Sequence, residues 1–275
     1  STDVGEGAND DQRLLSEPVV AHGRIYAMDA ATHVTALDAG SGRQLWRVDL
    51  TPDDEDDGLF GGGLAVAGDR VYVTTPFARV FALDAATGER VWEAAIAAPM
   101  RAAPTVSDGR VFVLTIDNQL VALAAEDGRR LWSHASVSET AGLLGGASPA
   151  VEGNTVIAAY SSGDLYALRA ETGRVLWNES LAGIRRGDAI STLTDIRGRP
   201  VVDRDLVIAI SNSGLLAAID LRRGSRVWDR DIGGSQGPWV AGDFVYVLDN
   251  NGELICLTRE DGRIRWVESL PKWED

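Results

Sequence analysis

Three histidines, one cysteine and a short acidic run are the residues of this chain whose chemistry could reach beyond packing. His22, His33 and His134 share no ligand spacing. A zinc site needs its donors to converge within about 2.0–2.3 Å of the ion, so each histidine reads as a surface or turn residue. Cys256 is the single cysteine, which excludes an intrachain disulfide and says nothing about compartment. The run Asp53 to Gly58, DDEDDG, opens like a calcium loop, with Asp53, Glu55 and Asp57 alternating ahead of Gly58. The twelfth loop position, which takes a bidentate Glu, is Leu64. A solvated acidic loop is therefore expected, with a weak cation site as the open alternative. GLFGGG (58–63) and LLGGAS (143–148) follow no strand-to-helix phosphate pattern and read as flexible connectors. No Ser sits in a nucleophile elbow. The expectation is a chain with no catalytic residue, no metal site and no cofactor.

The elements that would position any site are set by composition and pattern. The chain has 275 residues, 45% of them hydrophobic, with a formal net charge of −15. That hydrophobic share supports a sizeable core, and the acidic balance argues against a nucleic-acid partner, whose phosphates need a cationic face. No apolar run approaches the roughly 20 residues of a membrane span. Residues 1–15 form a polar N-terminal segment unlike a signal peptide, so any such leader is expected to have been removed or to lie outside this sequence.

One grammar then repeats six times. ALDAGSGRQLW (36–46), ALDAATGERVW (82–92), ALAAEDGRRLW (122–132), ALRAETGRVLW (167–177), AIDLRRGSRVW (218–228) and CLTREDGRIRW (256–266) each place a Gly four residues before a Trp. The spacings between successive Trp residues are 46, 40, 45, 51 and 38. A period of this size marks a repeat architecture. Ahead of each motif run short alternating strands such as RVYVTT and RVFVLT, bounded by Gly, Asp or Asn. Four strands per repeat of about 44 residues describe a propeller blade, and helices should be few. The small residue opening each motif suits close packing between sheets, the Gly a positive-φ turn bonded by the residue before it, and the Trp an apolar plate across the junction between blades. Cys256 takes that same small slot. Trp239, in the first strand of the sixth repeat, replaces an aliphatic residue and reads as core.

This grammar resembles the PQQ-like repeat family over residues 16–271, with blades expected at about 16–50, 63–98, 103–138, 147–183, 197–234 and 236–271. The fold class expected is all-β, a β-propeller of four-stranded blades. Three stretches interrupt the repeat: 51–63, 137–151 and 179–202. Their order, together with ISTLTDIRGRPVV and NSGLLAAIDLRRGSRVW, resembles the BamB family of outer-membrane assembly lipoproteins of Gram-negative bacteria. That resemblance implies a non-enzymatic, periplasmic, outer-membrane-associated scaffold that docks on the barrel-inserting subunit BamA and assists nascent outer-membrane proteins. Any lipid anchor is expected on an N-terminal Cys that this sequence does not contain. The resemblance further implies eight blades, so the six here are expected to belong to a larger ring, with a closed six-blade ring as the alternative. The family's docking loops match the second and third interruptions, which places Leu143 and Asp195 on the contact surface. Leu144 and Arg197 stand where the family often has an Arg and an acidic residue. Arg185 and Arg186, a basic spot in an acidic chain, are read both as solvated loop and as docking rim. Two other functions stay open on this repeat: a quinone-dependent dehydrogenase and a ligand-sensing propeller.

Overall fold

Near-continuous runs of β-branched and aromatic residues, such as RVYVT (70–74) and LVIAI (206–210), commit each repeat to strands, and both faces of these two second strands are buried. The computed structural model describes Gly5 and residues 16–53, 61–136, 146–182 and 195–271. They form six four-stranded antiparallel sheets, every one in meander order, with no helix among the described residues. In the first blade the strands are β1 (Val19–Ala21), β2 (Arg24–Met28), β3 (His33–Asp38) and β4 (Gln44–Asp49). The other five blades occupy residues 63–95, 105–135, 150–180, 201–230 and 239–269. Contacts divide the chain into two units, residues 1–135 and 136–275, with three blades in each.

The repeated motif has a more detailed geometry than its spacing suggests. In every blade the third and fourth strands slip register directly after the motif's small residue: between Ala36 and Leu37, Ala82 and Leu83, Ala122 and Leu123, Ala167 and Leu168, Ala218 and Ile219, and Cys256 and Leu257. The residue before each Trp is the extra one, so each outer strand carries a bulge that sharpens its twist and spoils its edge as a template for pairing. The slip leaves the small residue opposite the Trp, as in Ala82↔Trp92. In blades 1, 2, 4 and 5 the indole reaches from there into the next blade. Trp46 donates through Nε1 to the Ala85 carbonyl (3.2 Å), Trp92 to Ala125 (3.0 Å), Trp177 to Leu221 (2.8 Å) and Trp228 to Arg259 (2.8 Å).

The same rings cover the next blade's motif glycine. A Cβ added at Gly88, Gly128, Gly224 or Gly262 would stand 2.5–2.8 Å from the preceding blade's Trp. These glycines are thus required twice, by φ values of 63–78° and by the ring lying on them. Tyr26 and Trp46 of blade 1 pack with Val71 and Leu83 of blade 2, and Ile157 and Trp177 of blade 4 with Val207 and Ile219 of blade 5.

Two expectations need correction. Gly61, Gly62 and Gly63 do not act as a flexible connector, because a Cβ at each would lie within 3 Å of the backbone of Met100, Thr74 or Ala103. Trp239 is not core but 71% exposed. Alternation in its strand (Trp239–Ala241) turns Val240 toward the apolar cluster shared with blade 5 and Trp239 to the opposite face. There it lines up in register with Tyr246, Cys256 and Trp266. Trp266 on that face is 43% exposed, against 8% or less for Trp46, Trp92, Trp177 and Trp228.

The hairpin between second and third strands ends on a positive-φ residue in every blade. Blades 4 to 6 use Gly163, Gly214 and Gly252, whereas blades 1 to 3 use Thr32, Ala78 and Asn118. A Cβ in that region costs about 1–2 kcal/mol. Ala78→Gly should therefore stabilise the protein by about 0.5–1 kcal/mol after the added freedom of the unfolded chain is subtracted. Urea titration of the variant checks this, and a loss of stability would show that the Ala78 methyl packs more strongly than it strains.

Candidate functional site

Four of the six residues expected on the docking surface, Leu143, Leu144, Arg185 and Arg186, fall outside the described residues, as does most of the acidic run. Asp195 and Arg197 are described. They lie together on the stretch that leads from the third interruption into blade 5, with Arg197 half-buried. Asp195 is only 4% exposed, so its side chain has little surface to offer a partner directly. Its backbone carbonyl accepts a hydrogen bond from Asn212 N–H at 3.0 Å.

What the structure brings together is the footing of the two interruptions. Ala147 from the second, and Leu181 and Ile196 from the two sides of the third, belong to one buried cluster with Trp177 and Ile157 of blade 4 and Val207 of blade 5. The stems are fixed by polar contacts as well. Leu181 N–H donates to the Gly163 carbonyl at 2.7 Å, and Ser213 Oγ to the Leu181 carbonyl at 3.4 Å. Gly198 lies against the backbone of Gln236 and Gly237, where an added Cβ would meet Gly237 N at 2.5 Å. The described ends of the two stretches that flank blade 4 thus meet in one buried cluster.

The Ser211–Gly214 hairpin of blade 5 sits between these stems and was not singled out by the sequence. Ser211 Oγ and Ser213 Oγ are 3.0 Å apart and both side chains are buried. The only sequence signal would have been two hydroxyl residues flanking Asn212 where the other hairpins carry Asp, Thr or Tyr at their first position.

Titratable groups are tuned for structure. Asp38 and Asp261 are held below the usual carboxylate value mainly by the hydroxyls of Ser41 and Thr258, and Asp84 mainly by the Thr87 N–H; all three secure the turn that carries the motif glycine. Burial, then the neighbouring Tyr166, pushes the Tyr160 phenol well above its ordinary range, so Tyr160 stays protonated. Burial lowers the His134 pKa. His33 Nδ1 lies 3.1 Å from the buried Asp29 carboxylate, which also accepts from Arg47 Nη2 at 2.9 Å and caps its own hairpin through the His33 N–H. Among the described residues no group of three or more His, Cys, Asp or Glu is placed to hold a metal ion.

Comparison with known proteins bears on this arrangement. The family model described as outer membrane protein assembly factor BamB matches residues 8–55 and 30–268. The outer membrane protein assembly factor BamB of Salmonella typhimurium is 32% identical over 273 residues, covering 98% of this chain and 69% of that protein. Among solved structures, BamB from Moraxella catarrhalis superposes with a TM-score of 0.82 at 22% identity, over 97% of this chain and 78% of that one. A europium-containing methanol dehydrogenase superposes with a TM-score of 0.74 at 15% identity, over 91% and 70%. At that identity the enzyme's likeness speaks for the propeller fold alone.

Proposed function

The chain belongs to the BamB family of outer membrane protein assembly factors, and on that premise we propose that it serves as a non-enzymatic scaffold in outer-membrane protein assembly. It would work in the periplasm at the outer membrane, docking on the periplasmic domains of the barrel-inserting subunit BamA and presenting nascent outer-membrane proteins to it. The observation that carries this reading is the shared footing of the second and third interruptions. Ala147, Leu181 and Ile196 sit in one apolar cluster, so the described ends of two departures from an otherwise regular repeat are anchored together. Loops held by a scaffold are where binding residues concentrate, and a partner surface gains affinity when it is ordered beforehand.

Leu143, Leu144, Asp195 and Arg197 are proposed for the contact surface and Arg185 and Arg186 for its charged rim, with the buried Asp195 contributing mainly as support. Scaffolding of this kind makes and breaks no bond, and the dehydrogenase and sensor alternatives gain no support from the residues around this base. Calorimetric titration of the chain with the periplasmic domains of BamA should give saturable 1:1 binding. Leu143→Ala should weaken it about tenfold, which corresponds to about 1.4 kcal/mol, the scale of a single apolar anchor. A correctly folded chain that shows no heat of binding would sink the reading.

A further inference from the structure

We propose that the Ser211–Gly214 hairpin of blade 5 is the positioning element of this docking surface, and that Ser213 is its central residue. The proposal rests on the scaffold reading for what the surface does, and on geometry alone for what holds it. One tripeptide touches both sides of the third interruption. Asn212 N–H bonds the Asp195 carbonyl at 3.0 Å on the outgoing side, and Ser213 Oγ reaches the Leu181 carbonyl at 3.4 Å on the incoming side. Ser211 Oγ, 3.0 Å from Ser213 Oγ, also accepts from Leu215 N–H at 3.2 Å and so ties the pair to the third strand of the blade.

The hairpin is braced from blade 6 in turn. Asn250 Nδ2 donates to the Asn212 carbonyl at 3.1 Å while Asn250 N–H donates to the Gly233 carbonyl at 2.9 Å. Gly233 fits because a Cβ there would stand 2.9 Å from Gly214 Cα. Asp195 to Arg197 therefore takes its direction from a short chain of contacts running from blade 6 through Asn250 to Asn212. The equivalent hairpin of blade 3 shares part of this pattern: Ile116 N–H bonds the Pro99 carbonyl in the connection between blades as Asn212 N–H bonds Asp195, and Thr115 Oγ1 accepts from Gln119 N–H as Ser211 Oγ does from Leu215. Thr115 Oγ1 also bonds Asp117 across its hairpin, so what sets blade 5 apart is the hydroxyl of Ser213, which reaches out of the hairpin to the Leu181 carbonyl of an insertion stem.

Positioning residues act through the groups they hold, so the expected effect of Ser213→Ala is on order in the stems and on association, with little change in overall stability. Hydrogen exchange at the amides of Ala182 and of Ile196–Arg197 should quicken about tenfold in the free protein, a local opening. Affinity for the periplasmic domains of BamA should fall about fivefold, with the urea midpoint near that of the parent. Ser213→Thr keeps the hydroxyl and should restore both readouts. Thr115→Ala in blade 3 is the control, and it should leave both unchanged.

The outcomes separate cleanly. Quickened exchange with weaker binding, rescued by Thr, supports the proposal. Weaker binding that simply tracks a lowered midpoint, or unchanged exchange at the stems, overturns it. If the parent chain does not bind at all, the scaffold reading fails, and the exchange result alone then decides whether the hairpin positions the stems. Quickened exchange with unaltered affinity shows that the hairpin orders the stems but overturns its role in docking.

Discussion

Replacing Trp92 with Ala should lower the free energy of unfolding by about 4 kcal/mol, while the same change at Trp266 should cost about 1 kcal/mol. Trp-to-Ala changes in well-packed cores cost about 3–5 kcal/mol. Trp92 is buried in the junction with Val111, Val113 and Leu123 of the following blade, donates to the Ala125 carbonyl at 3.0 Å and covers Gly128. Truncating it opens a cavity and leaves a buried carbonyl with one donor fewer, a loss of about 1 kcal/mol by itself. Trp266 has the same position in the motif and the same tilted contact with its tyrosine, 6.0 Å between rings for Tyr246 against 5.9 Å for Tyr72 and Trp92. Its exposed face means that much of its apolar surface is already in water, so less is lost. Chemical denaturation of the two variants in parallel measures the difference. Equal costs would mean that the contact within a blade, and not the one between blades, carries the energy.

The second large effect is expected at Gly62. A Cβ on that residue would stand 2.1 Å from the Thr74 carbonyl oxygen and 2.9 Å from its carbon, with φ at +86°. The three nearest atoms are all backbone of Thr74 and Thr75, so no flexible side chain is there to yield. Gly62→Ala should cost about 3–5 kcal/mol, among the largest single-residue losses a folded chain shows. Gly68 is the comparison. It too has a positive φ, +59°, but nothing lies within 4 Å of the added Cβ, so Gly68→Ala should cost only the conformational 1–2 kcal/mol or so. Denaturant midpoints of the pair separate close packing from conformational strain. Equal losses would show that the backbone around Gly62 relaxes without difficulty.

How far these features could be read from the residues depends on whether their cause is local. The Gly and Trp of each motif repeat at a fixed separation, because a turn and the strand after it fix that distance, and so the blades could be counted before any coordinates. The bulge before each Trp has no residue signature: Leu45, Val91 and Arg265 all serve as the extra residue. Nor could the sequence show that the motif glycine is covered by a ring about 40 residues earlier, since that contact belongs to two blades at once. The exposure of Trp239 has a different, local cause. Its bulk suggested core, but alternation in a three-residue strand decides which face it takes, and that face is the open one.

At the candidate site, the interruptions were visible as breaks in periodicity. Their convergence was not, because Ala147, Leu181 and Ile196 meet only once blades 4 and 5 are packed. Gly61 to Gly63 looked like slack chain for want of the partner backbones that make them necessary.

The uniform latch between blades has a consequence for how the chain reaches this structure. Where one blade's indole meets the next blade's carbonyl and glycine, the contact is nearly the same at each such junction, so it cannot by itself tell a correct neighbour from a wrong one. During synthesis a Trp that emerges early can settle on the wrong glycine, a kinetic trap of the kind repeated sequences are prone to. Discrimination must come from what differs. In the row that ends on the Trp, the first-strand residue is Val19, Ala65, Thr105, Ala150, Val201 or Trp239. Val and Ala each occur twice in that row, so its shapes would bias pairing toward the right neighbour without giving every blade an address of its own.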